Sequence, residues 1–508
     1  MDGHGQRLPD TIGAVGCLVF LCWVPPSAIM DDMIGGYDVA ATNGATFVRN
    51  NPVTGQKATE AAAASVADAC KAADAAEAAF AAWSETGPGA RRALLLKAAD
   101  LLQARTPDFI DAMMNEIGST APWAGFNVML ASGILREAAS MTTQISGEVI
   151  PSDKPGCIAM SVRQAAGVCL GIAPWNAPVI LGVRAVAMPL ACGNTVVLKA
   201  SELCPRTHHL IGQVLQEAGF PPGAVNVVTN APADAAAVVE ALIAHPAVKR
   251  INFTGSTKVG RIVAEKSARL FKPVLLELGG KAPLIVLDDA DIDEAVKAAA
   301  FGSFMNQGQI CMSTERIIVD DKVADDFVKK LAARAKSLPA GNPAEKVVLG
   351  SLVSEQACDH VMALIDDAVA KGANLASAPE RRGTVMKASV LDHVQSNMRI
   401  YSEESFGPVV AVIRVKGVDE AVRVANDTEY GLSAAVFSRD IAKALTVAKR
   451  IQSGICHING PTVHDEAQMP FGGVKSSGWG RFGGKAAVAE FTDLRWITIE
   501  TRPGQFPF

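Results

Sequence analysis

The chain has few aromatic residues and no block of like charge. Phe, Trp and Tyr make up 5% of its 508 residues, and only three residues are Tyr. Charged residues account for 19%, and the formal net charge of −5 comes without a basic tract. Surfaces that bind nucleic acid or anionic membranes need clustered Lys and Arg. We therefore expect neither a nucleic-acid partner nor a membrane partner.

Paired cysteines are also missing. The chain has 10 Cys residues, but they form no Cys-x-x-Cys pair and no Cys/His cluster at zinc spacing. Disulfide frameworks and zinc sites usually show such spacings. The sequence therefore predicts no disulfides and no metal, and it indicates a reducing, cytoplasmic location.

The apolar run near the N-terminus, at 11–24, is shorter than the roughly 18–20 residues that a membrane span needs. It has neither a strongly cationic leader nor an evident cleavage motif, so a signal peptide is not favoured. Translation from Met30 or Met33 is the preferred interpretation. We expect residues 1–33 to be an extension outside the fold.

Two blocks of alternating strand and helix patterns follow, and 508 residues are too many for one hydrophobic core. An Ala-rich helix is predicted from Ala58 to Ala82. After Arg163, strand-like runs such as "GVCLGIA" and "PVLLELGG" alternate with helical stretches, and a second block begins near Ala282. The helical stretches of the first block are 183–191, 206–218, 233–244 and 258–269. This alternation predicts α/β domains built on parallel sheets.

The C-terminal segment "FTDLRWITIE" predicts a lone strand after the last helix. It has no neighbouring strand with which to form a hairpin. Its partner must lie elsewhere, and a subunit interface is one candidate.

Three residue positions suit covalent chemistry, and each has a structural alternative. Cys311 lies in the polar loop "MNQGQICMSTE", where a thiol either packs at a strand edge or is reactive. Glu277 ends an apolar strand, where a carboxylate is either paired or a general base of raised pKa. Asn176 in "GIAPWNAPV" either satisfies a turn or donates to an oxyanion.

Two further stretches suit a nucleotide. "RINFTGSTKVG" predicts a strand, a Gly-Ser turn and a helix start whose N–H groups can bind phosphate. The stretch is not a Walker A loop, because Arg261 stands at the Lys position, and an ordinary strand-to-helix turn is equally compatible. Lys199 and Glu202 follow another strand, where the carboxylate either accepts from a ribose or forms a surface salt bridge.

Together and in this order, the motifs resemble the aldehyde dehydrogenase superfamily from about Phe47 to Ile499. The matching motifs are "PWNAP" (174–178), "FTGSTKVG" (253–260), "LELGGK" (276–281), "GQIC" (308–311), "EESFGPV" (403–409) and "PFGGVKSSGWGR" (470–481). The resemblance implies an α/β fold with a Rossmann-like cofactor domain, an α/β catalytic domain and a small bridging β-sheet.

On this resemblance, residues 34–145 and 164–277 are expected to form the NAD-binding domain and 278–480 the catalytic domain. Residues 146–163 and 485–505 are expected to form the bridging and oligomerisation elements. A homodimer or homotetramer follows as the expected assembly.

The resemblance also implies a reaction. Cys311 is expected to attack the aldehyde carbonyl, Asn176 to hold the oxyanion, and Glu277 to activate the water that hydrolyses the thioester. NAD is the expected cofactor, with NADP as the alternative, because Glu202 would repel a 2′-phosphate. The residues expected to bind it are Ile172, Ala173, Pro174, Trp175, Lys199, Ser201, Glu202, Gly255, Ser256, Val259, Leu278, Gly279, Glu404 and Phe406.

Other stretches, including "WAGFNV" and "GVRAVAMPL", are similar to the bacterial branch that oxidises salicylaldehyde, benzaldehyde and vanillin. An aromatic aldehyde is therefore the expected substrate, and aliphatic aldehydes or semialdehydes are the alternative. Arg184 is predicted either to contact a substituted ring or to form an ion pair at the tunnel rim. The residues expected to line the pocket are Trp123, Ala177, Arg184, Ile310, Met312, Val463 and Phe471.

Three other functions remain open at this point. A CoA-acylating semialdehyde dehydrogenase would share the fold and the Cys, but that branch generally lacks the base that Glu277 supplies. A cofactor-free cysteine hydrolase would need a His partner for Cys311, and no His lies in a motif that indicates one. A non-catalytic, membrane-tethered relative would use the run at 11–24.

Overall fold

The computed structural model describes residues 29–504 and 506–508. The strands are β1 Asp32–Ile34, β2 Tyr37–Val39, β3 Thr46–Asn50, β4 Lys57–Ala62, β5 Glu148–Ile150, β6 Cys157–Ala165, β7 Val168–Ile172, β8 Thr195–Lys199, β9 Val225–Val228, β10 Val248–Thr254, β11 Val274–Glu277, β12 Ala282–Val286, β13 Thr314–Asp320, β14 Asn374–Ser377, β15 Arg381–Arg382, β16 Val385–Met386, β17 Ser389–Asp392, β18 Val409–Val415, β19 Ala435–Phe437, β20 His457–Ile458, β21 Gly478–Trp479 and β22 Thr492–Glu500.

The α-helices are α1 Val66–Ser84, α2 Pro88–Ala104, α3 Thr106–Ile117, α4 Ala121–Met141, α5 Pro178–Ala191, α6 Pro205–Ala218, α7 Ala235–Ala244, α8 Thr257–Ala268, α9 Ile292–Phe304, α10 Ala324–Lys336, α11 Glu355–Ala370, α12 Arg399–Ser402, α13 Gly417–Asn426, α14 Ile441–Ala448 and α15 Gly484–Glu490. Short 3-10 turns lie at Pro232–Asp234, Met305–Gly308 and Lys475–Ser477. The four helical stretches predicted for the first block correspond to α5, α6, α7 and α8.

The first sheet has the strand order β2-β1-β9-β8-β7-β10-β11-β21. Its five central strands, from β9 to β11 in that order, are parallel. Helices cover both faces: Leu170 packs with α1 and α7 on one face, and Cys169 packs with α4, α5 and α6 on the other. Because neighbouring residues of a strand point to opposite faces, these strands are mostly apolar, as is usual in parallel sheets.

The second sheet has the order β14-β17-β18-β13-β12-β19-β20 and is parallel except for β14. It is also covered on both faces. Ile318 packs with α11, α13 and α14, and its neighbour Ile317 packs with α9 and α10. The predicted α/β class, with two strand–helix blocks around largely parallel sheets, is confirmed.

The terminal strand β22 finds its partner within its own chain. It pairs antiparallel with β6 along its whole length, from Thr492 opposite Ala165 to Glu500 opposite Cys157, and β5 completes the sheet. The strand therefore does not need a second subunit as its pairing partner, and the interface explanation for its pairing is wrong.

The Ala-rich helix predicted from Ala58 begins later than expected. Residues 57–62 form β4, which pairs with β3, and α1 starts only at Val66. Ser65 and Asp68 form a capping box: the Ser65 hydroxyl accepts from the Asp68 N–H at 3.3 Å, and Asp68 Oδ2 accepts from the Ser65 N–H at 3.1 Å. Strand pairing overrides the helix propensity of alanine before this cap.

The boundary of the predicted N-terminal extension lies too far into the chain. Asp32 and Met33 belong to β1, and Met33, 1% exposed, pairs with Val227 of β9. Asp32 Oδ1 accepts from the Thr229 N–H at 2.7 Å, which holds the strand to the sheet. The apolar run at 11–24 lies outside the described residues, and within them no helix is long and apolar enough to cross a membrane.

A second boundary also shifts. Gly478–Trp479, which the prediction placed in the 278–480 domain, form β21 and pair with Leu276 and Glu277 of β11. The first sheet is thus extended by a strand from the far end of the chain. This pairing brings the "PFGGVKSSGWGR" motif next to the strand that carries Glu277.

Candidate active site

The carboxyl ends of four parallel strands meet at one edge of the first sheet. Ile172 of β7 lies opposite Lys199 of β8 and Phe253 of β10, and Thr254 lies opposite Glu277 of β11. Crevices at the carboxyl ends of such strands are the usual ligand sites of open α/β sheets. Sequence stretches more than 100 residues apart are therefore brought together, as the predicted cofactor site requires.

The turn after β10 forms a helix start that can receive a phosphate. The Gly255 N–H donates to the Glu277 carbonyl at 3.1 Å, and the Ser256 hydroxyl caps α8 by accepting from the Val259 N–H at 3.4 Å. Leu278 packs closely on this helix, since a Cβ at Gly260 would lie 2.4 Å from its side chain. The first turn of α8 thus stays close to β11, with its N–H groups at the sheet edge.

The residues after β8 form a polar group at the same edge. The Lys199 ammonium, 4% exposed, pairs with Glu202, and the Asn230 side-chain amide donates to the same carboxylate at 3.2 Å. The Ser201 N–H donates to Nδ1 of His208 at 3.0 Å. Burial lowers the pKa of His208 to about 3, so its ring is neutral and can accept this bond. A carboxylate and an ammonium in this place suit a ribose.

The loop at 403–408, between α12 and β18, forms the other end of the edge. The Gly280 N–H donates to Glu404 Oε1 at 2.9 Å, and the Phe406 ring meets the Trp175 ring edge-on with centroids 5.8 Å apart. Burial raises the pKa of Glu404 to about 8, with the charge of Glu315 as the next contribution. The turn before α8 lies between the Lys199–Glu202 pair and the loop at 403–408. This order along the edge suits an elongated dinucleotide.

The remaining predicted cofactor residues lie along the same edge. Trp175 and Asn176 follow Ala173 and Pro174 in the turn between β7 and α5. The Ala173 N–H donates to the Lys199 carbonyl at 3.5 Å, and the Gly279 carbonyl accepts from the Ser477 hydroxyl at 2.6 Å.

Cys311 follows a backbone segment of unusual conformation. Asn306, Gln307 and Gly308 have φ values of 48°, 57° and 73°. Left-handed conformations at residues other than Gly cost about 1–3 kcal/mol each and persist only where neighbours hold them. The Asn306 amide donates to the Asn176 carbonyl at 3.0 Å, and the Gln307 amide donates to the Ser351 carbonyl at 2.9 Å. The role of these two amides was missed, because polar residues in a loop give no distinguishing pattern.

The Cys311 side chain packs partly exposed against the main core of the molecule. A Cβ at Gly280 would lie 2.2 Å from the Cys311 carbonyl oxygen, so only glycine lets the "LELGGK" turn pass this close. Burial and the facing Glu277 carboxyl hold the pKa of the thiol well above its usual range. The resting group is therefore a thiol rather than a thiolate.

Glu277 is a buried acid beside the thiol. Its side chain is 1% exposed, and neither carboxyl oxygen has a hydrogen-bond partner among the described residues. Burial raises its pKa to about 7, and the Cys311 thiol and Arg184 partly oppose the increase. A carboxyl group with this pKa exchanges protons readily at neutral pH.

The side chain of Asn176 points toward the loop that carries the thiol. Its amide donates to the Gln309 carbonyl at 3.0 Å, and its backbone carbonyl accepts from the Trp123 indole at 3.2 Å. Cys311, Glu277 and Asn176 are thus brought to one place from strand ends and a loop spread over 136 positions of the sequence.

The predicted pocket residues share one hydrophobic cluster, into which Cys311 and Trp175 also pack. The residues of the prediction in this cluster are Trp123, Ala177, Ile310, Met312, Val463 and Phe471. Leu432 belongs to the same cluster and was missed, because its stretch "YGLSAAVFS" reads only as a strand. The site therefore offers an apolar environment beside the thiol.

Arg184 forms an ion pair, one of its two predicted roles. Its guanidinium donates to Asp465 Oδ2 at 2.6 Å and lies over the Phe471 ring, 4.4 Å from the centroid. The two charged side chains are 6% and 8% exposed. Asp465 was missed, since it lies in the polar loop "TVHDEAQ" without a spacing signal. Its second oxygen has no hydrogen-bond partner among the described residues, which leaves an acceptor available at the pocket.

Comparisons with known proteins agree with this arrangement. A sequence model of the aldehyde dehydrogenase family matches residues 39–497. A vanillin dehydrogenase from Pseudomonas fluorescens is 63% identical over 476 residues, which cover 94% of this chain and 98% of that protein. A salicylaldehyde dehydrogenase from Pseudomonas putida is 52% identical over 465 residues, covering 91% and 96%.

Among solved structures, a salicylaldehyde dehydrogenase from Pseudomonas putida G7, complexed with salicylaldehyde, superimposes with a TM-score of 0.93. It is 50% identical and covers 94% of this chain and 100% of its own.

Proposed function

The chain belongs to the aldehyde dehydrogenase family, and from this premise we propose that it oxidises an aromatic aldehyde to the carboxylic acid with a nicotinamide dinucleotide. The observation that carries the proposal is Glu277, a buried carboxyl that faces the Cys311 thiol and has no hydrogen-bond partner in the described part of the chain. A buried polar group left unpaired costs free energy. Such groups cluster at functional sites, where a shifted pKa serves proton transfer.

In the first step, Cys311 releases its thiol proton to solvent, and the thiolate sulfur bonds to the aldehyde carbon to give a thiohemiacetal anion. The aldehyde oxygen gains negative charge as the carbonyl double bond breaks. The Asn176 amide, already held beside the loop, is the side-chain donor for this oxyanion. One such donor is worth about 3–4 kcal/mol of transition-state stabilisation.

A dinucleotide held by the Lys199–Glu202 pair and by the loop with Glu404 would supply the hydride acceptor for the former aldehyde carbon. The product on Cys311 is a thioester. Glu277 then takes a proton from water, the hydroxide adds to the thioester carbon, and the carbon–sulfur bond breaks to release the carboxylic acid. Because burial raises its pKa to about 7, Glu277 can both accept and release a proton at neutral pH.

The aromatic substrate class rests on the pocket and on the relatives. An apolar cluster beside the thiol suits a planar ring, and the adjacent Arg184–Asp465 pair provides donors and an acceptor for a ring hydroxyl or methoxy group. The relatives that cover nearly the whole chain carry the names vanillin and salicylaldehyde dehydrogenase.

For the cofactor we favour NAD over NADP, because the Glu202 carboxylate would repel a 2′-phosphate. A homodimer or homotetramer is the proposed assembly. Leu494 and Trp496, 61% and 75% exposed on β22, support it, since they leave large apolar groups uncovered on the three-stranded sheet. We place the enzyme in the cytoplasm on its cysteine pattern.

The test is a comparison of kcat/KM for vanillin, salicylaldehyde, benzaldehyde and hexanal, each with NAD and with NADP. We expect at least about a tenfold preference for an aromatic aldehyde, the range that pocket complementarity supplies. The Cys311→Ser variant should lose acid production. A clear preference for hexanal would favour the aliphatic alternative, and native turnover by Cys311→Ser would contradict the mechanism.

A further inference from the structure

We propose that the buried ion pair of Lys281 and Glu315 positions the loop that holds the nicotinamide half of the cofactor. We call this pair the loop clamp. The inference rests on the proposed function, because it takes Glu404 and Phe406 as contacts to that half. Lys281 and Glu315 would touch neither cofactor nor substrate, so they would be positioning residues.

The two charges of the loop clamp are fully withdrawn from water. The Lys281 ammonium and the Glu315 carboxylate are 2.6 Å apart, and their side chains are 0% and 4% exposed. The Lys281 ammonium also donates to the Glu403 carbonyl at 2.6 Å. The lysine is thus bonded both to its partner acid and to the first residue of the loop at 403–408.

Glu315 makes its remaining contacts with the same loop. Its carboxylate accepts from the Ser405 N–H at 3.0 Å, from the Ser405 hydroxyl at 2.7 Å and from the Phe406 N–H at 3.1 Å. Phe406 has a φ of 46°, a left-handed conformation that a residue other than Gly adopts only when its surroundings hold it. The carboxylate holds the backbone on both sides of the Ser405–Phe406 peptide.

The loop clamp also connects this loop to both catalytic segments. Lys281 follows Glu277 by four residues, and Glu315 follows Cys311 by four residues. The position of Glu404, which lies between Glu403 and Ser405, is therefore fixed relative to the thiol and the base. A hydrophobic pair could fill the same space, but it would leave these loop N–H and carbonyl groups without partners, whereas the charged pair bonds to them.

The charged groups that face Lys281 are Glu315, Arg316 and Glu404. Arg316 is fully buried and donates to the carbonyls of Val424 and Ala425 at 3.0 Å and to the Lys281 carbonyl at 3.4 Å, but not to the loop at 403–408. Of the charged side chains that face Lys281, only Glu315 bonds to residues 405–406. The Ser405–Phe406 part of the loop therefore depends on Glu315, while the Glu404 carbonyl also contacts His360 Nε2 at 3.0 Å.

Two variants test the clamp, and a third is their control. Glu315→Gln removes the charge, and Ser405→Ala removes one loop donor without leaving a buried charge unpaired. Asp320→Asn is the matched control at the other end of β13. Asp320 accepts from the Lys322 N–H at 3.1 Å and the Gly417 N–H at 3.0 Å, away from the loop at 403–408.

The first readout needs no turnover. In the cofactor-free full-length protein, amide hydrogen exchange at 403–408 should become about tenfold faster in Glu315→Gln, several-fold faster in Ser405→Ala and unchanged in Asp320→Asn. Affinity for NADH should fall severalfold in Glu315→Gln, while affinity for ADP-ribose, which lacks the nicotinamide, should stay within about twofold. Equal losses for both ligands, or unchanged exchange at the loop, would overturn the proposal.

The second readout is kinetic, with the best aldehyde of the wild type as substrate. A misplaced reacting group costs up to about a hundredfold, so kcat of Glu315→Gln should fall about 10–100-fold while KM for NAD changes less. Because Glu315 acts through the loop that carries Glu404, adding Glu315→Gln to Glu404→Gln should cost less than Glu315→Gln costs in the wild type. If Glu315→Gln lowered kcat equally in the wild type and in Glu404→Gln, the loop clamp would be refuted while the proposed function would stand. Native kcat in Glu404→Gln would refute the cofactor assignment of the proposed function as well.

Discussion

Two glutamates, at the end of β11 and the start of β13, are similarly buried but differ in their hydrogen-bond and ion-pair partners. Glu277 and Glu315 are 1% and 4% exposed. Glu277 precedes Lys281 by four residues, and Glu315 follows Cys311 by four residues. Glu277 has no hydrogen-bond partner among the described residues. Glu315 has a lysine and three loop donors.

The difference shows that the partners of a buried acid, and not its depth, indicate its role. A carboxylate whose acceptor positions are filled by donors from one loop fixes the position of that loop. One without partners has a raised pKa and retains free lone pairs for water or a proton. On this basis Glu277 is suited to chemistry and Glu315 to positioning.

The largest expected effect is on turnover. Glu277→Gln should lower the steady-state rate about 10²–10⁴-fold, the usual contribution of a general base. A burst of reduced cofactor should remain, because the amide removes the charge that raises the Cys311 pKa and thus does not oppose thiolate formation. Stopped-flow absorbance checks both phases. Unchanged steady-state turnover would remove Glu277 from the role of base.

The next effect is on the free energy of unfolding, which Glu315→Gln should lower more than Glu277→Gln does. Glu315→Gln leaves Lys281 buried without its counter-charge, so the free energy of unfolding should fall by about 3–5 kcal/mol. Replacing both residues, Lys281→Met with Glu315→Leu, should restore most of this loss while turnover stays low. Urea unfolding measures the first part. If Glu277→Gln were the more destabilised of the two single variants, the distinction between the acids would fail.

The smallest effect is the pH dependence of stability. The pKa of Glu277 rises from 4.5 to about 7 on folding, so its contribution is complete below pH 4.5 and is lost as the pH rises through 7. A shift of about 2.5 pKa units corresponds to about 3 kcal/mol. Relative to the wild type, Glu277→Gln should therefore gain up to this amount between pH 5 and pH 8. Parallel unfolding curves for the two proteins at both pH values would contradict the raised pKa.

The sequence predicted the residues that carry out the reaction better than the residues that hold them in place. The reaction is indicated by short local motifs, which contain Cys311, Glu277 and Asn176. Asp465, Gln307 and Glu315 act through contacts with residues 34 to 281 positions away, and a single sequence contains no sign of such pairings. The same limit explains β4, where pairing with β3 overrides an alanine-rich helix pattern.

The sequence by itself determined the strand–helix alternation and the candidate nucleophile, base and oxyanion donor, because apolar periodicity and residue type are local properties. The tertiary structure alone decided which ionisable groups are paired. It left Glu277 without a hydrogen bond to any residue within 29–504 and 506–508, joined Arg184 to Asp465 and bonded Glu315 to the loop at 403–408. Burial and distance set pKa values and hydrogen bonds, and both arise only when remote segments pack together.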